Sequence, residues 1–133
     1  TAHAGLIKFK KPQLSLITTK TVTAEESGMT FLLNLIGGFT VTLPTPAAGL
    51  NYKFIVGTAN TTSYIIDAGS AIIYGPGSNT AGALAAIGTG ERFLTFVGGA
   101  PQAAIGDWAT LESDGTSWFA FTSSIAAASI TIA

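Results

Sequence analysis

Residues Gly106 to Phe121 read GDWATLESDGTSWFAF. The dipeptide Asp114-Gly115 suits the backbone twist of a tight hairpin turn. With those two residues at the tip, Leu111 pairs with Trp118 and Trp108 with Phe121. Side chains alternate along a strand, so the two pairs fall on opposite faces. A small β domain in water normally leaves one face of such a hairpin wet. A ribbon with large apolar side chains on both faces needs a cover for each: the domain core for one, and something else for the other.

The composition raises the same question. The chain has 133 residues, enough for one domain with a true core. It is 47% hydrophobic and 10% charged, against a usual charged share of roughly 25%. No apolar run approaches the ~18 residues of a membrane-spanning helix. The apolar stretches last four to seven residues, short of the ~9–11 of an outer-membrane strand. The reading is a β protein outside the membrane, part of whose surface is hidden by other copies of itself. The net charge of −1 gives no basic stripe for nucleic acid. The absence of cysteine removes disulfides and thiol chemistry. The first residues, TAHAGLIKFKKPQLSL, lack the continuous apolar core of a signal peptide and fit a cytosolic product.

Alternation marks the strands. Phe39–Leu43 (FTVTL) sends Phe39, Val41 and Leu43 to one side and Thr40 and Thr42 to the other. Tyr52–Val56 (YKFIV) sends Tyr52, Phe54 and Val56 one way, Lys53 and Ile55 the other. Met29–Leu35 places Phe31, Leu33 and Leu35 together. Thr18–Thr23, Ser63–Asp67, Ala71–Tyr74 and Ser129–Ile132 are further strands, and Glu91–Val97 is apolar on both faces, with Phe93 and Val97 opposite Leu94 and Phe96. Thr23 with Glu26 fits a capping box that Gly28 ends within a turn. Pro44 and Pro46 make a rigid connection. Residues 75–86 form a loop of small residues, a candidate mobile segment. No stretch has a sustained helical period. The pattern predicts an all-β single domain over residues 18–133, an antiparallel β-sandwich or a jelly-roll or barrel-like fold, preceded by an extended N-terminal arm over residues 1–17.

Residues that carry chemistry are scarce. His3 is the one histidine and stands at the start, which argues against a His-based triad or a His-rich metal site. The carboxylates are Glu25, Glu26, Asp67, Glu91, Asp107, Glu112 and Asp114. Two suffice for a glycosidase, but Asp107 and Asp114 read as turn residues, Glu25 and Glu26 as cap residues, and Glu91 as a local partner of Arg92. Oxygen-rich turns sometimes bind calcium, and a loop at Asp107 or Asp114 is a candidate for it. Gly88-Thr89-Gly90 and Gly75-Pro76-Gly77 match neither a dinucleotide nor a phosphate-binding fingerprint. Trp108, Trp118, Tyr52, Tyr64 and Tyr74 would make a sugar-stacking platform if exposed. At alternating positions they read more naturally as core and interface, where each buried aromatic contributes on the order of 2–3 kcal/mol.

The segment GGFTVTLPTPAAGLNYKFIV, residues 37–56, resembles a stretch that recurs in small structural proteins of tailed bacteriophages. That stretch is a TVTLP strand, a Pro-Ala-Ala-Gly turn and an aromatic-rich strand. LESDGTSWFAF resembles the "SDGTxW" hairpin of the same proteins, and the SITIA ending resembles their short terminal strand. These pieces cover about a third of the chain. The resemblance implies a non-enzymatic virion protein without catalytic residues, cofactor or metal. It most closely matches a capsid decoration (cement) protein, made in the host cytoplasm and bound as a homotrimer outside the major capsid shell. The partners expected are the chain itself and the major capsid protein, with no nucleic acid and no membrane. Leu6, Ile7 and Phe9 are then apolar anchors of a capsid-binding arm, with Lys8, Lys10 and Lys11 meeting acidic capsid surface. Phe96, Trp108, Trp118, Phe119 and Phe121 are the expected oligomer interface. The alternative is a tail-fibre or baseplate domain that binds a host glycan through exposed aromatics. A carbohydrate-active enzyme would need two converging carboxylates.

Overall fold

The computed structural model describes residues 11–75, 77–78, 84–85, 91–100, 102–126 and 128–133. The regular structure of the described chain is almost all strand: β1 (Gln13–Leu16), β2 (Lys20–Thr21), β3 (Thr30–Leu33), β4 (Thr40–Thr42), β5 (Asn51–Val56), β6 (Tyr64–Asp67), β7 (Ile73–Tyr74), β8 (Gly77–Ser78), β9 (Leu84–Ala85), β10 (Phe93–Phe96), β11 (Trp108–Ser113), β12 (Trp118–Ser123) and β13 (Ile130–Ile132). They form two packed sheets, in the orders β1-β3-β5-β11-β12-β7 and β13-β10-β6-β4-β2, with β8 and β9 as a separate ribbon. The all-β sandwich expected from the alternation is what the chain forms. Of the loop expected over residues 75–86, the ribbon strands and Gly75 are described; its remainder lies outside the described residues.

The strand pairing corrects one part of that expectation: the sheets are mixed, not antiparallel throughout. The pairs β1–β3 and β3–β5 are parallel, and so are β2–β4 and β4–β6. The chain visits the first sheet, crosses to the second and returns, so each crossover runs through the opposite sheet and no helix is needed to join parallel neighbours. The later strands pair mostly in the antiparallel sense, β11 on β5 and β12, and β10 on β6 and β13, while β7 lies parallel to β12 at the sheet edge. The expected arm is also shorter than predicted, because residues 13–16 are the edge strand β1. Thr18–Thr23 contributes only the two-residue β2.

Inward positions follow the alternation. Phe31, Leu33, Tyr52, Phe54, Val56, Leu111 and Trp118 from the first sheet meet Val41, Tyr64, Ile66, Leu94, Phe96 and Ile130 from the second, all buried. Phe31 stacks on Phe54 at 5.4 Å between ring centroids, and Phe39 meets Tyr64 edge-on at 5.1 Å. Two tyrosines send their hydroxyls out of this core to hold turns. Tyr52 donates to the Thr23 carbonyl and Tyr64 to the Thr58 carbonyl, each at 2.8 Å. Burial raises the pKa of both phenols. The turn before β3 is the short 3₁₀ segment Ala24–Glu26. The Glu26 carboxylate accepts the Thr23 N–H at 2.9 Å, and Gly28 ends the turn at φ +89°.

The backbone at Thr62 and Ser63 is clasped between two glycines. A Cβ on Gly38, which holds a φ of +69°, would collide with the Thr62 carbonyl oxygen, and one on Gly98 would collide with the Thr62 carbonyl carbon. Both positions therefore require glycine.

Candidate functional site

The β11–β12 hairpin is where sequence and structure are best compared. The tip is a four-residue loop, not a two-residue turn. Ser113 pairs with Trp118, Leu111 with Ala120, Thr110 with Phe121, and Trp108 with Ser123. The expected pairs Leu111–Trp118 and Trp108–Phe121 are thus displaced along the ladder. The cause is Asp114, whose carboxylate accepts the N–H groups of Ser117 at 2.8 Å and Thr116 at 2.9 Å. These bonds favour the wider loop and hold the carboxylate below its ordinary pKa. The displacement preserves parity, so the two pairs fall on opposite faces as expected; the structure turns Leu111 and Trp118 inward and Trp108 and Phe121 outward.

Register places the outward residues of the first sheet in rows. Leu32, Ile55, Trp108 and Ser123 lie side by side; Lys53, Thr110 and Phe121 form the next row; Asn51, Glu112, Phe119 and Tyr74 the third. Phe119 is 39% and Phe121 53% exposed. Tyr74 and Phe119 stack at 5.8 Å with 25° between their planes. The Lys53 ammonium sits 4.9 Å from the centroid of the half-buried Trp108 ring, a cation–π contact. The result is a surface on which the aromatic rings of Trp108, Phe121, Phe119 and Tyr74 lie in adjoining rows, with Lys53 and Glu112 as its charges.

Not every expected interface residue belongs to it. Phe96 and Trp118 are fully buried within one copy of the chain. Phe96 shares the inward parity of Leu94 on β10, and the Trp118 ring lies 5.8 Å from that of Tyr52 in the core. A side chain enclosed by its own domain offers nothing to a partner, so of the five residues expected at an interface only Trp108, Phe119 and Phe121 stand on the outer face. Leu32, Ile55 and Tyr74 join them through the register. Of the expected capsid-binding residues, Lys11 is exposed beside the start of β1, while Leu6, Ile7, Lys8, Phe9 and Lys10 lie outside the described residues. The sugar platform loses Tyr52, Tyr64 and Trp118 to the core.

Several carboxylates have structural partners. Arg92 grips Asp67 through two bonds of 2.7 and 2.9 Å, in place of the expected Glu91–Arg92 pair. The guanidinium, helped by the Gly69 N–H, holds Asp67 below the usual carboxylate range although burial opposes it. Glu26 pairs with Lys20 at 2.9 Å. Asp107 is buried and accepts the N–H of Ala104 at 2.9 Å and of Ile125 at 3.0 Å, tying two turns together. Among the described residues, no three His, Cys, Asp or Glu side chains gather as a metal site, and no helix is long and apolar enough to cross a membrane.

Sequence reasoning missed a second feature: isoleucines exposed in turns, at Ile17, Ile36, Ile105 and Ile125. The signal was present in SLITT, LIGG, AAIGD and SSIAA, each with an isoleucine next to the small or polar residues of a turn, where a polar side chain is usual. Compared with known protein families, curated proteins and solved structures, the chain finds no match.

Proposed function

We propose that the chain is a non-enzymatic structural protein of a tailed-phage virion, a decoration protein that assembles as a homotrimer on the outside of the major capsid shell and stabilises it. The observation that carries the reading is the aromatic outer face of the first sheet, in a chain that is only 10% charged. Trp108, Phe119, Phe121 and Tyr74 are a surface suited to another protein, since contiguous exposed apolar area on a lone domain invites aggregation. The phage-like segments at residues 37–56 and 111–121 supply the virion context by resemblance. A protein that bridges neighbouring capsomers stabilises the lattice geometry it fits, by mass action on that state. Threefold attachment multiplies modest contacts through avidity. The basic arm, with Leu6, Ile7 and Phe9 beside Lys8, Lys10 and Lys11, is the proposed capsid-facing segment.

Imaging of virions that carry this chain tests the reading. Density for the sandwich on the outer shell, with the first sheets facing one another around a threefold axis, supports it. Density confined to the tail, or exposed first sheets in every copy, refutes it. On such virions, deletion of residues 1–12 lowers shell occupancy while the oligomer stays intact.

A further inference from the structure

The turns of this sandwich divide sharply by end. β1, β3, β5 and β12 leave the first sheet at Leu16, Leu33, Val56 and Ser123, and β11 enters beside them at Trp108. In the second sheet, β6 and β13 begin at this end, and β10 finishes here, with Phe96 opposite Tyr64 and Ile130. Residues 17–19, 34–39, 57–63, 97–100, 102–107, 124–126 and 128–129 therefore gather at one end. Among the described residues, Asp107 is the charged residue of this end, and it is buried with both carboxylate oxygens bonded to backbone N–H groups. Glu25, Glu26, Asp67, Glu91, Arg92, Glu112 and Asp114 lie toward the opposite end, where Lys11 also precedes β1 and Lys20 reaches Glu26. On this end, where the described residues expose no charge, stand Ile17, 65% exposed, Ile36, 61%, Ile105, 64%, and Ile125, 81%.

This end can also lose its water at little polar cost. Thr61 donates both its N–H and its hydroxyl to the Ile36 carbonyl, and Gln102 donates to the Asn60 carbonyl. Asn34 donates to the Ser15 hydroxyl and accepts from Thr58, and Ser129 donates to the Ala126 carbonyl. Polar groups already paired internally are not orphaned when a partner arrives.

We propose that the isoleucine end is a contact surface between two copies of the chain, apposed end to end about a twofold axis. Charge decides the occupant. A partner that brought a charge onto these isoleucines would strip it of water with no counter-charge to meet it. The chain's own opposite end is excluded on that ground, whereas its own isoleucine end brings no exposed charge. A twofold arrangement makes every favourable contact twice. The proposal goes beyond the virion reading and does not depend on it; it uses a different surface from the aromatic face, so a threefold assembly through that face would pair end to end into six-chain particles.

Light scattering on the full chain separates the two surfaces. The double substitution Ile105→Asp and Ile125→Asp, at exposed sites, sets four carboxylates around the axis and should weaken pairing by about 100-fold or more, halving the particle mass. Phe119→Ser with Phe121→Ser should instead leave two-chain particles. The chain has no cysteine, so Ile125→Cys treated with a short bis-maleimide should give linked pairs, and Asp114→Cys, at the charged end, should not. A wild-type particle with an odd number of chains, an end variant of unchanged mass, or absence of linked pairs in the Ile125→Cys variant overturns the proposal. So does flotation of unpaired chain with phosphatidylcholine vesicles, which would make lipid the occupant. If the face variant keeps the wild-type mass while the end variant halves it, the aromatic-face assembly falls and the end-to-end contact stands.

Discussion

On the first sheet the outward positions include four aromatic rings, Trp108, Phe119, Phe121 and Tyr74, beside residues such as Lys53, Thr110 and Glu112; on the second they hold Thr40, Thr42, Thr95 and Thr131, with Ile65 and Phe93 half-buried among them. Both faces are built on the same two-residue alternation. On the second sheet the Arg92 guanidinium lies 4.8 Å from the Phe93 ring centroid and is itself anchored on Asp67, so that apolar ring has a polar cover. On the first sheet Tyr74 and Phe119 cover each other, and Trp108 lies under Lys53. The difference teaches that alternation locates the core, whereas the identity of the outward residues shows which outer face can stand in water.

The largest effect expected from breaking this contrast lies beneath it. Trp118→Ala should cost about 3–5 kcal/mol of folding stability, because the inward face is a packed core. Denaturant titration checks this; a loss under about 1 kcal/mol would mean that Trp118 is not enclosed. Gly38→Ala comes next and should cost about 2–3 kcal/mol, from backbone strain plus collision with Thr62, read by the same titration. Phe121→Ser should leave the fold of one copy nearly unchanged, within about 1 kcal/mol, and weaken assembly by roughly tenfold or more, measured by sedimentation at several concentrations. Thr95→Ser on the second face should move both quantities by less than about 0.5 kcal/mol. Equal effects of Phe121→Ser and Thr95→Ser on assembly would erase the contrast.

A last, smaller test concerns pH. Asp67 has its carboxyl lowered by Arg92 in the folded state, so its contribution to stability is full above the unfolded value near ~4. That contribution disappears as pH falls through the folded value. Asp67→Asn should therefore flatten the acid side of the stability profile and leave assembly unaltered, seen by thermal melts from about pH 7 downward.

The strands FTVTL and YKFIV were legible because each has a large apolar residue at every second position, and Phe39, Val41, Leu43, Tyr52, Phe54 and Val56 are all buried. The two-sidedness of the β11–β12 hairpin was legible for the same reason. Its register was not, because the choice between a two-residue and a four-residue tip rests on what the Asp114 carboxylate bonds to. Parallel winding was hidden too. Gln13 stacks beside Thr30 and Thr30 beside Lys53, at unequal spacings in the chain that leave no repeat in the sequence. Of the candidate interface, Trp108, Phe119 and Phe121 could be read from parity. Phe96 and Trp118 were misassigned because a strand that is apolar on both faces does not reveal from sequence alone which face turns inward.

The first six strands are coiled rather than folded back, and β1 and β2 each end their sheet. One more loop of chain laid against that margin would widen both layers together, while Tyr74 and Phe119 on the far side kept their place. Such a body can change its breadth at one margin without redrawing the face that carries Tyr74 and Phe119 at the other.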